Sequence, residues 1–298
     1  MTTLLFVVTD GVIYASWLFI VAVGMTLVYG VMRVLNVAHG SLYALGAYTA
    51  ATMVGAWFQR GHPPLGSFAV LLAAALIVGL VMGLILERGL LRFLYGRDEV
   101  VVVLATYATF LILEDVIQLI WGVEARPAPQ PYSLLGTTAV GPLLMNNYDL
   151  SLIGLALLVG GATWWGLTRT AAGKLLLAVI FDREMAEACG INVRRFFLVT
   201  FLIGSVLGAL GGAYTAPMIS VSRGLGVDVI VLAFAVVVVG GMGSIPGALL
   251  GAIMIGLSRA AAVHLLPQAE VFAIYLIMTL VLIVRPHGLL GREQLRKV

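Results

Sequence analysis

Nine long stretches of this chain carry almost no charge, and they decide what it can fold into. They run over residues 12–32, 38–58, 66–87, 99–121, 149–168, 196–218, 226–241, 246–264 and 269–285. A helix crosses the hydrocarbon core of a bilayer with about 20 mostly apolar residues. The composition agrees: 61% of residues are hydrophobic, 10% are charged and the mean hydropathy is +1.09. A soluble domain is about 45–50% apolar and about 25% charged, so too little polar surface exists here to coat a water-soluble globule. The expected fold is all-α: a polytopic transmembrane helical bundle, one domain over residues 1–298. The seventh and eighth runs are short and glycine-rich. They either cross or form re-entrant or interrupted helices, which are tolerated where they are buried in protein or line a cavity. The expected count is therefore eight to ten spans. The first run has no basic segment before it and is too long for a signal-peptide core, so it reads as a retained span.

Loop charge sets orientation. If all nine runs cross, one side holds Arg33, then Arg88, Arg92 and Arg97, then Arg169, Lys174, Arg183, Arg194 and Arg195, and finally Arg285, Arg292, Arg296 and Lys297. Only Arg60, Arg126, Arg223 and Arg259 fall on or near the other. The first group marks the cytoplasm, with the N-terminus outside and the C-terminus inside. This asymmetry accounts for the pI near 9.1 without invoking nucleic acid. The lone Cys189 excludes an intramolecular disulfide.

Two loops are long. Residues 122–148 form an external loop with Pro127, Pro129, Pro131 and Pro142, expected to be extended or turn-rich. Residues 169–195 are cytoplasmic. There Leu175, Ala178, Val179, Met185, Ala186 and Cys189 recur at helical spacing, and Asp182, Glu184 and Glu187 alternate with cations. The expectation is one amphipathic helix from Leu175 to Gly190, which ends it as the residue past the C-cap, with Asn192 capping the next span. Such a helix either lies on the lipid surface or docks into a groove on a cytoplasmic partner. The acids favour docking, since the inner leaflet is itself anionic.

Two glycine-rich segments look alike: Gly40-Ser41-Leu42-Tyr43-Ala44-Leu45-Gly46-Ala47 and Gly243-Ser244-Ile245-Pro246-Gly247-Ala248. They suggest two related halves with interrupted helices meeting at a substrate path. Gly79 and Gly83, then Gly204, Gly208 and Gly212, then Gly243, Gly247 and Gly251, sit four apart, a spacing that lets helices approach closely.

The spacing Arg169…Ala178…Asp182…Ala186…Gly190-Ile191…Arg194 resembles the coupling loop of permeases from branched-chain amino acid ABC importers of the LivH/LivM type. The strings Leu35-Asn36-Val37-Ala38-His39-Gly40-Ser41 and Gly240-Gly241-Met242-Gly243-Ser244-Ile245-Pro246-Gly247 look like signatures of the same family, and the resemblance runs from about Tyr14 to Leu290. It implies a multi-pass protein of the bacterial inner membrane that does no covalent chemistry. It implies that Ala178, Asp182, Ala186, Glu187, Gly190 and Ile191 contact an ATPase subunit. The Glu187-Ala188-Cys189-Gly190 string departs in spacing from the general coupling motif of Glu-Ala-Ala and a glycine three residues on. Implied partners are a second permease subunit, two ATP-binding cassette subunits that bind ATP and magnesium, and a periplasmic solute-binding protein. The chain has no Gly-x-x-x-x-Gly-Lys-Ser/Thr string, so it carries no P-loop itself.

Polar residues at membrane depth are the other candidates. Glu114 and Gln118 share a face of the fourth span, beside Asp115. They form either a polar patch in the path or a structural pair partnered by a cation such as Arg126 or Arg259. Asn36 and His39 either line the cytoplasmic gate or cap the second span. Ser41, Tyr43, Gly243, Ser244 and Pro246 complete the candidate path. Asp228 has Arg223 as a possible partner. An ion-coupled carrier or channel using Glu114 and Asp115 is the rival reading. A hydrolase built on His39 and Ser41 is not, because near neighbours on a helix do not face each other.

Overall fold

The computed structural model describes residues 2–140 and 143–291; Pro142, Arg292, Arg296 and Lys297 lie outside the described residues. The nine apolar runs become nine long helices. In chain order these are α1 (Thr2–Met32), α2 (His39–Gln59), α3 (Ser67–Leu86), α4 (Glu99–Trp121) and α5 (Asn147–Arg169), the cytoplasmic-loop pair α6 (Ala171–Phe181) and α7 (Arg183–Ala188), then α8 (Val193–Thr215), α9 (Leu225–Gly240), α10 (Ile245–Leu265) and α11 (Glu270–Val284). Side-chain oxygens start several of them. Asp98, Asn146, Thr170, Asp182, Asn192 and Ser244 each accept from a backbone N–H in the first turn that follows.

Six of the described helices are long and apolar enough to cross a membrane. Of the remaining three, α2 is long but less apolar. It can be, because His39 to Tyr48 are all buried in protein rather than facing lipid. α9 and α11, with 16 and 15 residues, are about 24 and 22 Å long. α9 is separated from α10 only by Gly241 to Ser244, where Gly241 and Gly243 both take positive φ.

Several boundaries differ from the sequence reading. α1 starts ten residues early, because Asp10 is held by His264 at 2.7 Å and Gly11 packs against the backbone of Leu257. The external loop is not merely extended. It holds a short helix at Gln130–Leu134 and a hairpin of β1 (Thr137–Val140) and β2 (Leu143–Asn146), with Thr137 opposite Asn146. The single amphipathic helix of the cytoplasmic loop is two helices. Asp182 takes an extended conformation, φ −149°, and its carboxylate accepts from Met185 N at 3.0 Å, so α6 ends and α7 begins on one residue. An Asp that caps competes with an Asp that continues a helix, and here the cap wins.

The largest surprise is where α2 begins. His39 Nε2 bonds the Val21 carbonyl at 3.1 Å. Val21 lies three turns before the end of α1, about 16 Å in by helical rise. The connection 33–38 therefore turns back into the bundle and α2 starts at mid-depth. Non-helical backbone is tolerated there only if its polar groups are paired. Thr106 of α4 does the pairing: its hydroxyl accepts from Val37 N at 3.3 Å, and its one proton is shared between the Leu35 carbonyl at 3.3 Å and the Val103 carbonyl of its own helix at 3.0 Å. Thr106→Val, equal in shape without the hydroxyl, is expected to cost about 1–3 kcal/mol by stranding those groups. The check is the melting temperature of the purified protein; an unchanged value would mean the connection does not depend on Thr106.

Close packing comes from the glycines. α1 packs along α10 and α9 along α2. The glycine junctions lock these crossings: Gly243 lies against Gly30, and Gly40 against Gly226. α8 crosses α2 with Gly208 against the His39 ring and Gly212 against the Tyr43 carbonyl.

Candidate functional site

Two regions gather the candidate residues. The first is the α6–α7 element. Ala178, Asp182, Glu187 and Gly190 are exposed, Ala186 is buried and Ile191 is half-buried. Gly190, at φ +83°, ends α7 through its N–H to the Glu187 carbonyl, while Ile191 N returns to Ala186 O. Glu187 pairs with Arg183 at 3.2 Å on the surface, and the Arg183 guanidinium stacks over Phe197, tying α7 to the start of α8. The sequence reading gives Met185 only for its helical spacing and does not name Phe181. Phe181 and Met185 are 71% and 64% exposed, large apolar groups beside acids on a charged surface. Their signal was present, since both flank the helix break at Asp182, but a single continuous helix would have pointed them elsewhere.

The second region is at mid-depth, where the first turns of α2 and α9 meet α4. Asn36 is 3% exposed and its amide nitrogen has no partner. Neither Asn36 nor His39 caps α2, whose start at Ala38 has no side-chain cap. His39 is enclosed by α1 and α8. Ser41 Oγ donates to the Phe110 carbonyl at 3.3 Å, so Ser41 and His39 are turned to different helices. Tyr43 Oη and Thr215 Oγ1 share a 2.5 Å hydrogen bond inside the bundle.

Glu114 faces the first turn of α9. Its buried Oε1 has no hydrogen-bond partner, and a Cβ placed on Gly226 would collide with it. The positive end of the α9 dipole favours a carboxylate there. Neither cation suggested from sequence partners it. Arg126 donates to the Trp121 carbonyl, and Arg259 pairs with Glu270 and stacks on Tyr14 at 4.0 Å. Arg223 is the cation whose field reaches Glu114, and among the described residues it makes no ion pair with Asp228. Asp115 is exposed and Gln118 half-buried on the outer surface of α4, beside the exposed Leu111, Ile112 and Leu119. A carboxylate on an apolar helix surface at this depth does not face lipid tails without cost.

Gly243, Ser244 and Pro246 are not with these residues. They form the α9–α10 junction, where the Ser244 hydroxyl caps α10 through Gly247 N at 3.2 Å and Pro246 fills its first turn. That junction lines a cleft of about 460 Å³ beneath α1, α5 and α6.

Residues 7–284 match the family described as the branched-chain amino acid transport system / permease component. The chain belongs to that permease family. Among similar proteins, the high-affinity branched-chain amino acid transport system permease protein BraD of Pseudomonas aeruginosa is 29% identical, covering 97% of this chain and 96% of its own. The corresponding LivH of Salmonella typhimurium is 27% identical over the same shares. The ribose import permease protein RbsC of Escherichia coli is 27% identical across 80% of this chain and 71% of its own. In fold, the permease resembles PsaBC from Streptococcus pneumoniae, solved in complex with a Fab, with a TM-score of 0.50 and 12% identity over 92% of this chain and 89% of that one. The permease is thus a multi-pass membrane component of a transport system and not an enzyme. The family agrees with the sequence reading on both points.

Proposed function

We propose that this permease is the membrane-spanning subunit of a bacterial inner-membrane ABC importer for branched-chain amino acids. The observation that carries the reading is the family match over residues 7–284, with relatives named for that transport along nearly their whole length. ATP and magnesium bind to two separate cassette subunits, a second permease subunit completes the path, and a periplasmic binding protein delivers the solute. The N-terminus is outside and the C-terminus in the cytoplasm, which puts α6 and α7 where a cassette subunit can reach them.

In this reading residues 169–195 are the coupling loop. Asp182 sets the angle between its two helices, Ala186 anchors α7 to the bundle, and Gly190 and Ile191 turn the chain into α8. Ala178 and Glu187 present the polar surface, and the exposed Phe181 and Met185 supply apolar anchors of the kind that carry interface energy. Nucleotide-driven closure of the cassettes would move this element, and α1, α5 and α10 would carry the motion to mid-depth. There Asn36, Ser41, Tyr43, Glu114, Asp115 and Gln118 form the polar flank of the path, with Gly243, Ser244 and Pro246 at the hinge below.

The test is a pulldown of the tagged chain from native membranes in mild detergent, assayed for co-purifying ATPase activity. Glu187→Lys reverses a surface charge, and Gly190→Asp places a side chain at positive φ. Both are expected to lower the co-purifying activity about tenfold, the equivalent of about 1.4 kcal/mol of docking energy. A chain that purifies intact and alone at every salt concentration would sink the importer reading and favour an ion-coupled carrier using Glu114 and Asp115.

A further inference from the structure

We infer that the cleft between α1, α5, α6 and the α9–α10 junction binds an anionic phospholipid of the adjacent leaflet, with its phosphate on Arg33. At about 460 Å³ the cleft is within the range of pockets that hold a ligand. Its polar lining is Thr26, Tyr29, Arg33, Thr168 and Ser244. Thr26 is 1% exposed and its hydroxyl has no hydrogen-bond partner, although a buried hydroxyl ordinarily has one. Arg33 makes no ion pair among the described residues, and no Asp or Glu is among the described residues lining the cleft. Glu99 of α4 is close enough to act on the Tyr29 hydroxyl but does not line the space.

This combination selects a ligand class. One cation with several hydroxyl donors suits an anion. The absence of a lining acid leaves an amino acid's ammonium group without a partner, so a transported amino acid is a poor fit. The rest of the lining is apolar: Leu27, Leu167 and Leu177 offer a surface for an aliphatic chain. Trp164, which also lines the cleft, is 54% exposed on the last turns of α5. Tryptophan is enriched at headgroup depth, and basic pockets between spans at that depth hold anionic headgroups. Arg33 also has φ +54°, alone among the described non-glycine residues in being positive. That conformation costs about 1–3 kcal/mol and is kept where the surroundings impose it. Here it places Arg33 in the lining of the cleft at the end of α1.

The experiment is native mass spectrometry of the full chain, with whatever subunits co-purify, after exchange into neutral detergent. Phosphatidylglycerol, phosphatidylcholine and inorganic phosphate are titrated in turn. One phosphatidylglycerol per chain is expected to remain bound, about tenfold tighter than phosphatidylcholine, whose equal phosphate comes with a choline cation that is repelled by Arg33 and finds no acid among the described lining residues. Arg33→Asn tolerates positive φ but lacks the charge, and is expected to lose that preference. Arg33→Lys is expected to keep it, and Arg60→Asn, beyond the far end of α2, to leave it unchanged. Equal binding of the two lipids by the wild-type chain would overturn the proposal, whether or not any variant folds. So would retention of phosphatidylglycerol by Arg33→Asn. Displacement of the lipid by millimolar inorganic phosphate would overturn it too, by showing an anion site with no use for the acyl chain.

Discussion

Replacing Gly212 with valine is expected to remove nearly all folded protein from the membrane. A Cβ at this position would stand 1.9 Å from the Tyr43 carbonyl oxygen, 2.8 Å from its carbon and 3.0 Å from Ala47 N. All three are backbone atoms of α2, so no side chain can rotate away. Either α8 and α2 separate along their length or the substitution is not accommodated. Overpacking relieved by side-chain movement costs about 1–3 kcal/mol. Moving two buried helices apart also breaks the Tyr43–Thr215 hydrogen bond and the packing around His39, and a protein has only about 5–15 kcal/mol in total. The natural control is Gly161→Val on α5, where nothing lies within 4 Å of the added carbon. Size-exclusion profiles of the solubilised variants provide the measurement. A normal monodisperse peak for Gly212→Val would show that the α2–α8 crossing is looser than described.

Glu114→Lys is expected to abolish transport and to lower the folded yield sharply, whereas Glu114→Gln is expected to leave the yield near wild type. The lysine would place a cation against the first turn of α9, whose exposed N–H groups form a positive end. A cation at the centre of a spanning helix costs about 2.5–3.5 kcal/mol on insertion scales. The dipole adds about 0.3–1 kcal/mol against it. Glu114 is about 10 Å from the outer end of α4 by helical rise. Glutamine keeps the shape and a hydrogen-bonding oxygen. Solute uptake in membrane vesicles, scored against the amount of folded protein, separates the two effects. Normal uptake by Glu114→Lys would remove Glu114 from the path.

Much of this was legible beforehand for definite reasons. A bilayer requires long apolar runs, so the helices at 99–121, 196–218 and 246–264 could be read almost to their ends. Gly190 and Asn192 announced the turn into α8, because a positive φ and a side-chain cap are local requirements that particular residues satisfy. Asp182 differs, since the sequence reading places it inside one continuous helix. Helical spacing on both sides of it gave no sign that its carboxylate would stop one helix to start another.

The sequence by itself determined that this chain lives in lipid, where its long apolar runs lie, where the glycines allow close crossings and which permease family it resembles. The first three follow from short-range pattern, hydropathy over about 20 residues, glycine every fourth position and caps at helix starts, and the family from the resemblance carried by the strings at 35–41 and 240–247. Only the tertiary structure decided that α2 begins inside the bundle, that His39 is enclosed between α1 and α8, and that Glu114 meets the first turn of α9. Those outcomes depend on partners far away in the chain, Thr106 for the 33–38 connection, Val21 and Gly208 for His39, and Gly226 for Glu114. A buried polar group goes wherever its hydrogen bonds or its charge can be met, and no local pattern says which distant helix will meet them.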